Sequence, residues 1–172
     1  MLKLLGSILI IGASTALGIA VRQQAAFRVR VLTEWIACLN LMMIEIGGRG
    51  TTLHEIFLTI SNSRNRLIAP FFLDLAKQIS GMPAYDFRTV WKKTLSNYSE
   101  QWGINTEEHR ILLEIADYLG RYEGSAQSHS IKSVMIQLQE QREKAAEELR
   151  SRNSIYRTCG AAAGILLVLV LI

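Results

Sequence analysis

The chain of 172 residues holds 2 prolines and 2 cysteines. So little proline leaves long stretches free to run as helix, and none occurs from Ser125 to Ile172. Cys38 and Cys159 make no disulfide framework. One falls in an expected amphipathic helix and the other at the edge of an apolar tail, so a reducing compartment suits the middle of the chain. Sustained alternation of apolar and polar residues is missing, and no segment reads as a strand. Charge is missing at both ends. Lys3 is the only charged residue before Arg22, and none follows Arg157. The formal net charge of +4 is too mild to argue for nucleic acid.

Signatures of catalysis are missing too. His54, His109 and His129 stand alone, without a second ligand at metal spacing. Each reads as a surface or helix-packing residue. No serine lies in a nucleophile-elbow pattern. Gly47-Gly48-Arg49-Gly50 has neither the spacing nor the Lys-Ser/Thr end of a phosphate-binding loop, and it reads as a turn. Glu107-Glu108 and Glu147-Glu148 are neighbours along expected helices, so their side chains diverge by about 100° and share no site. We therefore expect no enzyme, no cofactor and no metal.

What is there begins with two apolar ends. Leu2 to Val21 is long enough to span a bilayer, and its glycines are tolerated in a membrane helix. A cleaved signal peptide ending near Gly18-Ile19-Ala20 is the rival reading. Thr158 to Ile172 is uncharged and about 22 Å long as helix, short against a hydrocarbon core of about 30 Å. Tyr156 as an interfacial anchor, a snorkelling Arg157 and local thinning close that gap. A buried terminal core helix is the alternative, opposed by the lack of any polar face.

The basic residues choose between these readings. Arg22, Arg28 and Arg30 follow the first apolar segment, and Arg150, Arg152 and Arg157 precede the second. Basic flanks stay in the cytoplasm, so both termini belong across the membrane. The expected division is a transmembrane helix at 2–21, a cytoplasmic helical bundle at 22–157 and a transmembrane segment at 158–172. The six arginines form a collar for anionic headgroups, each contributing on the order of 1 kcal/mol.

Between the ends, 3.6-residue periodicity repeats. Ala25, Val29, Leu32, Ile36, Leu39, Met43 and Ile46 make one stripe, widened by Trp35 and Met42. Thr52 with Glu55 is a capping-box pattern ahead of Leu53, Ile56, Phe57 and Ile60. Pro70 opens a third helix with Phe71, Phe72, Leu75 and Ile79 inward. Phe87, Val90, Trp91 and Leu95 make a fourth face, with Arg88, Lys92 and Lys93 on another side. Asn97 to Asn105 reads as a polar loop. Asn105 with Glu108 caps a fifth helix carrying Ile111, Leu112, Ile115, Tyr118 and Leu119. The last helix starts near Ser125 and buries Ile131, Val134, Met135, Leu138, Ala145 and Leu149, while Glu140–Lys144 and Glu148–Arg152 suit a solvated side. The fold expected is all-α, a six-helix antiparallel bundle whose first and last helices continue into transmembrane segments.

Some of these residues are familiar. Met1-Leu2-Lys3-Leu4-Leu5-Gly6, Glu45-Ile46 followed by Thr51-Thr52-Leu53-His54-Glu55, Leu119-Gly120 with Gln127 after it, and Tyr156-Arg157 running into glycine and aliphatics resemble the stage III sporulation protein AB family of endospore-forming bacteria. The likeness runs over the whole chain and lies in the order of the motifs. The chain departs from that family's pattern at Thr52, where a proline usually precedes the leucine, and at Arg121 to Gly124, where a small residue and an aspartate are usual. The family is similar to the cytoplasmic domain of the inner-membrane platform protein of type II secretion and type IV pilus systems, a six-helix bundle. The resemblance implies a non-enzymatic platform in a secretion-like channel between mother cell and forespore. It would lie in the outer forespore membrane, facing the mother-cell cytoplasm. Its partners would be other channel proteins, a cytoplasmic secretion-type ATPase and the bilayer, with homo-oligomerisation left open. Glu45, Thr52, Leu53, Glu55, Leu119, Gly120 and Gln127 are the expected partner-binding residues. Thr52 and Glu55 also read as a cap, Leu53 and Leu119 as packing, and Gly120 as a helix end. The competing function is a signal-peptide-led, tail-anchored extracytoplasmic helical binding protein.

Overall fold

A computed structural model describes the backbone of residues 2–63, 67–80, 87–119 and 124–171, and the side chains of 16, 18–48, 50–63, 67–80, 87–119 and 128–151. Among these residues the chain is all helix, with α1 at Leu2–Arg49, α2 at Leu53–Ser61, α3 at Ala69–Ile79, α4 at Phe87–Trp102, α5 at Thr106–Tyr118 and α6 at Gly124–Leu171. From α2 on, each helix packs against the next, and α6 returns to α1, which also touches α2 and α4. The result is a ring of six helices about one core.

The frame is the pair of 48-residue helices, α1 and α6. They are antiparallel. Ser128, near the start of α6, donates from Oγ to the Met43 carbonyl at 3.5 Å, while Glu148, far along α6, faces Arg28 at 3.6 Å. A side chain at Gly47 would come within 2.9 Å of Ser128 Oγ, so glycine permits the close approach of the two helices there.

The buried stripe of α1 is Val31, Leu32, Trp35, Cys38, Leu39, Met42 and Ile46. It is rotated from the periodicity expectation, because Ala25, Val29, Ile36 and Met43 are only half-buried. Met43 stands at the α6 side of the stripe, and Trp35 marks its centre. The Trp35 ring lies within 6.2 Å, centroid to centroid, of Phe71, Phe72, Trp91 and Trp102. Each such side chain, fully buried, stabilises the fold by about 1.5–3 kcal/mol, and edge-to-face contacts add to that. Trp91 donates Nε1–H to the Leu112 carbonyl at 2.9 Å, and Trp102 donates to that of Leu67 at 3.3 Å. Trp35 Nε1 is buried without a hydrogen-bond partner among the described residues, inside this aromatic cluster.

Local chemistry sets the helix ends. Both expected capping boxes form. Glu55 N–H donates to Thr52 Oγ1 at 3.3 Å and Thr52 N–H to Glu55 Oε2 at 3.2 Å, and the same exchange joins Asn105 and Glu108 at 2.8 Å each way. Three boundaries differ from the sequence reading. α1 runs through Gly47 and Gly48 to Arg49. α6 starts at Gly124, so Ser125 lies inside it. Residues 97–102 are helix rather than loop, because Leu95 and Trp102 are buried and Tyr98 stacks on Trp102 at 5.4 Å, extending the apolar face of α4. Gly103, at φ +63°, then turns the chain toward α5, a conformation that favours glycine.

Among the described residues no helix is long and apolar enough to cross a membrane. The side chains of 1–15 and 152–172, which make up most of the two expected spans, lie outside the described residues.

Candidate functional site at the two ends of the bundle

The antiparallel frame gives the bundle two distinct ends. At one end the long helices run on. There the α4–α5 turn meets α1, with Gly103 against Gln24. The other end collects the α1–α2 turn, the end of α5 and the start of α6.

This second, distal end brings together several expected partner residues. Thr51 donates from Oγ1 to Glu45 Oε2 at 3.1 Å, so the end of α1 is tied to the turn. Thr52 and Glu55, both exposed, complete the α2 cap. Leu53 is half-buried and packs on the core, and His54 Nδ1 meets the Ala76 carbonyl at 3.1 Å. Leu119 is 2% exposed, so it packs inward and presents little to a partner. Gly120 and the Gln127 side chain lie outside the described residues.

The arginines at the opposite end divide. Arg22, Arg30 and Arg150 are exposed. Arg30 stands 5.9 Å from the centre of the Phe27 ring. The side chains of Arg152 and Arg157 lie outside the described residues. Arg28 turns inward. Its Nη2 donates to Glu108 Oε1 at 2.7 Å and its Nε to both carboxylate oxygens at 3.0 and 3.1 Å. Glu108 is 0% exposed and also caps α5. The hydrogen bonds to Glu108 raise the Arg28 pKa against the opposing effect of burial. Arg28 is thus a bolt between α1 and the α4–α5 turn. It was legible in principle, since Arg28 is in phase with Leu32, Trp35 and Leu39 on the inward side of α1.

Ser99 Oγ lies 2.7 Å from His109 Nδ1 beside a cavity of about 330 Å³. The Ser99 hydroxyl donates to the Leu95 carbonyl, and its oxygen can accept from His109 in the Nδ1-protonated tautomer. The pair ties α4 to α5. Burial, with Lys92 nearby, lowers the His109 pKa. Tyr98 donates to Asp74 Oδ2 at 2.6 Å, and burial together with that carboxylate lifts its pKa to about 12. Among the described residues no group of three or more His, Cys, Asp and Glu is placed to hold a metal ion.

The profile of stage III sporulation protein AB matches residues 3–172. The chain belongs to the stage III sporulation protein AB family. Stage III sporulation protein AB of Bacillus subtilis (strain 168) is 26% identical over 172 residues, spanning 99% of this chain and 99% of its own length. No solved structure matches significantly. Membership in the sporulation protein AB family gives the chain a role in sporulation, and the six helices of the described residues agree with the all-α fold read from the periodicity.

Proposed function

We propose that this protein is a non-enzymatic platform, anchored by both ends in one membrane, whose helical bundle offers its distal end to other proteins of a sporulation channel. One observation carries this reading. The bundle ends near Gln24 on α1 and Glu148 on α6, where Gly103 and Arg28 close it, yet both helices continue in the same direction. Beyond those points each runs for about 22 more residues, and their uncharged stretches, about 27 Å at residues 4–21 and about 22 Å from Thr158 on, approach the thickness of a hydrocarbon core once local thinning is included, with Arg22 and Arg157 left at its surface. Ile19, on the α1 extension, is 53% exposed, which suits lipid better than water. The arginine pattern favours a hairpin with the bundle in the cytoplasm. In a sporulating cell that is the mother-cell cytoplasm, with the spans in the outer forespore membrane. There the exposed Thr52–Glu55 corner can meet a cytoplasmic secretion-type ATPase or another channel component.

The test is capture in sporulating cells. A photo-crosslinking amino acid replaces Glu55, and in a parallel strain it replaces Ser96, an exposed position on α4. The reading expects a discrete adduct with a channel protein or the ATPase from the Glu55 position and none from Ser96. Equal adducts from both, or none from Glu55 in a protein that still supports sporulation, defeat it.

A further inference from the structure

Among the described residues four large apolar side chains are exposed, Ile19, Ile44, Leu73 and Ile136, and two of them lie on the neighbouring outer sides of α1 and α6. Ile44 on α1 is 57% exposed and Ile136 on α6 is 55% exposed. The α1–α6 register, with Met43 beside Ser128 and Arg28 beside Glu148, sets Ile136 about one to two and a half turns from the level of Ile44, on the side toward the overhanging end. Along α1 the outer positions Thr33, Ala37, Asn40 and Ile44 are exposed and uncharged, and Arg30 follows toward the overhanging end. Along α6 Ile136 is followed toward the same end by exposed Glu143 and Glu147, which lie level with Arg30. The α1 half of the face is therefore apolar and then basic, and the α6 half is apolar and then acidic.

This pattern is complementary to itself. A two-fold axis along the helices lays α1 of one copy over α6 of another. Ile44 and Ile136 of the partner subunit then cover one apolar stretch, Arg30 meets Glu143 and Glu147 of the partner subunit, and each contact occurs twice. We propose that the outer α1–α6 face is where a second copy of this chain docks in parallel. Two further cations share the α6 half. Lys132 flanks the apolar pair, where its alkyl stem adds cover. Arg150 lies beyond Arg30, toward the overhanging end. Among the described residues Glu143 has its neighbour Arg142 at 3.7 Å as its ion partner. The parallel orientation rests on the membrane-anchored reading above, since copies held in one membrane share their direction.

The experiment uses the full chain in native membranes. Two differently tagged copies are co-expressed, both Cys159→Ser, one Ile44→Cys and the other Ile136→Cys, and then oxidised. The expected product is a dimer carrying both tags, severalfold more abundant than the self-paired Ile44→Cys product. Arg30→Glu reduces it severalfold, and adding Glu143→Arg with Glu147→Arg restores it. Monomer only, adducts with other proteins only, or a dominant self-paired product overturns the proposal. A carbonate wash of the same membranes reads the anchoring separately. Protein kept in the pellet without the mixed dimer sinks only the docking face, whereas protein washed free sinks the anchored reading.

Discussion

Replacing Arg28 with methionine gives the sharpest test of how the bundle is locked. The change removes three short hydrogen bonds from a carboxylate that is 0% exposed, leaving Glu108 with the Asn105 amide as its remaining donor. Stripping the partner from a buried charge costs about 3–5 kcal/mol. The Arg28 side chain is itself 18% exposed, so screening trims the figure to about 2–4 kcal/mol. For a bundle of this size that corresponds to a fall in Tm of about 8–15 °C. Glu108→Gln is milder, about 1–2 kcal/mol, because the amide oxygen keeps the cap and Arg28 retains Glu148 and partial access to water. Arg110→Met is the control. Its ion pairs with Glu107 and Glu114 are on the surface, so Tm should hold. Thermal unfolding of the full chain in detergent micelles, followed by tryptophan fluorescence, reports the core directly, since Trp35, Trp91 and Trp102 all lie in it. If Arg28→Met melts no earlier than Arg110→Met, the buried bolt is not what joins α1 to the α4–α5 turn.

Three further outcomes follow from the same structure. The depressed His109 pKa means that the unfolded chain takes up a proton first as pH drops below about 6.5, so stability should fall from about pH 7 to pH 5. His109→Asn keeps a donor toward Ser99 and should flatten that slope in denaturant titrations, and an unchanged slope would assign it to other groups. Thr52→Ala should lower stability by about 1 kcal/mol through loss of the α2 cap, with Thr52→Ser restoring it in the same urea melts. Gly103→Ala should lower stability by about 1 kcal/mol because alanine resists a φ of +63°, and no loss in the melt would mean that the turn relaxes freely.

Much of the helix plan was legible because the core is built from apolar residues at regular spacing. Phe71, Phe72 and Leu75, or Ile111, Leu112 and Ile115, announce their faces without any tertiary information. The capping pairs Thr52–Glu55 and Asn105–Glu108 were readable for the same reason, since each works within one turn. Where the reading slipped, distant contacts decided. Residues 97–102 look polar, but Trp102 finds the Leu67 carbonyl and the core behind α3, and the helix extends to reach them. Arg28 looks like one more basic residue beside an apolar segment, and only the α4–α5 turn reveals why it faces inward.

The central claim is the hairpin, and labelling tests it most directly. Single cysteines near Lys3, at the exposed Lys92 and after Ile172, in a Cys38→Ala, Cys159→Ser background, are exposed to an impermeant thiol reagent from outside the cell before engulfment. The account predicts labelled ends and a protected Lys92 site. Labelling at Lys92 in intact cells would put the bundle outside the cytoplasm, contradict the platform reading and favour the exported, tail-anchored one.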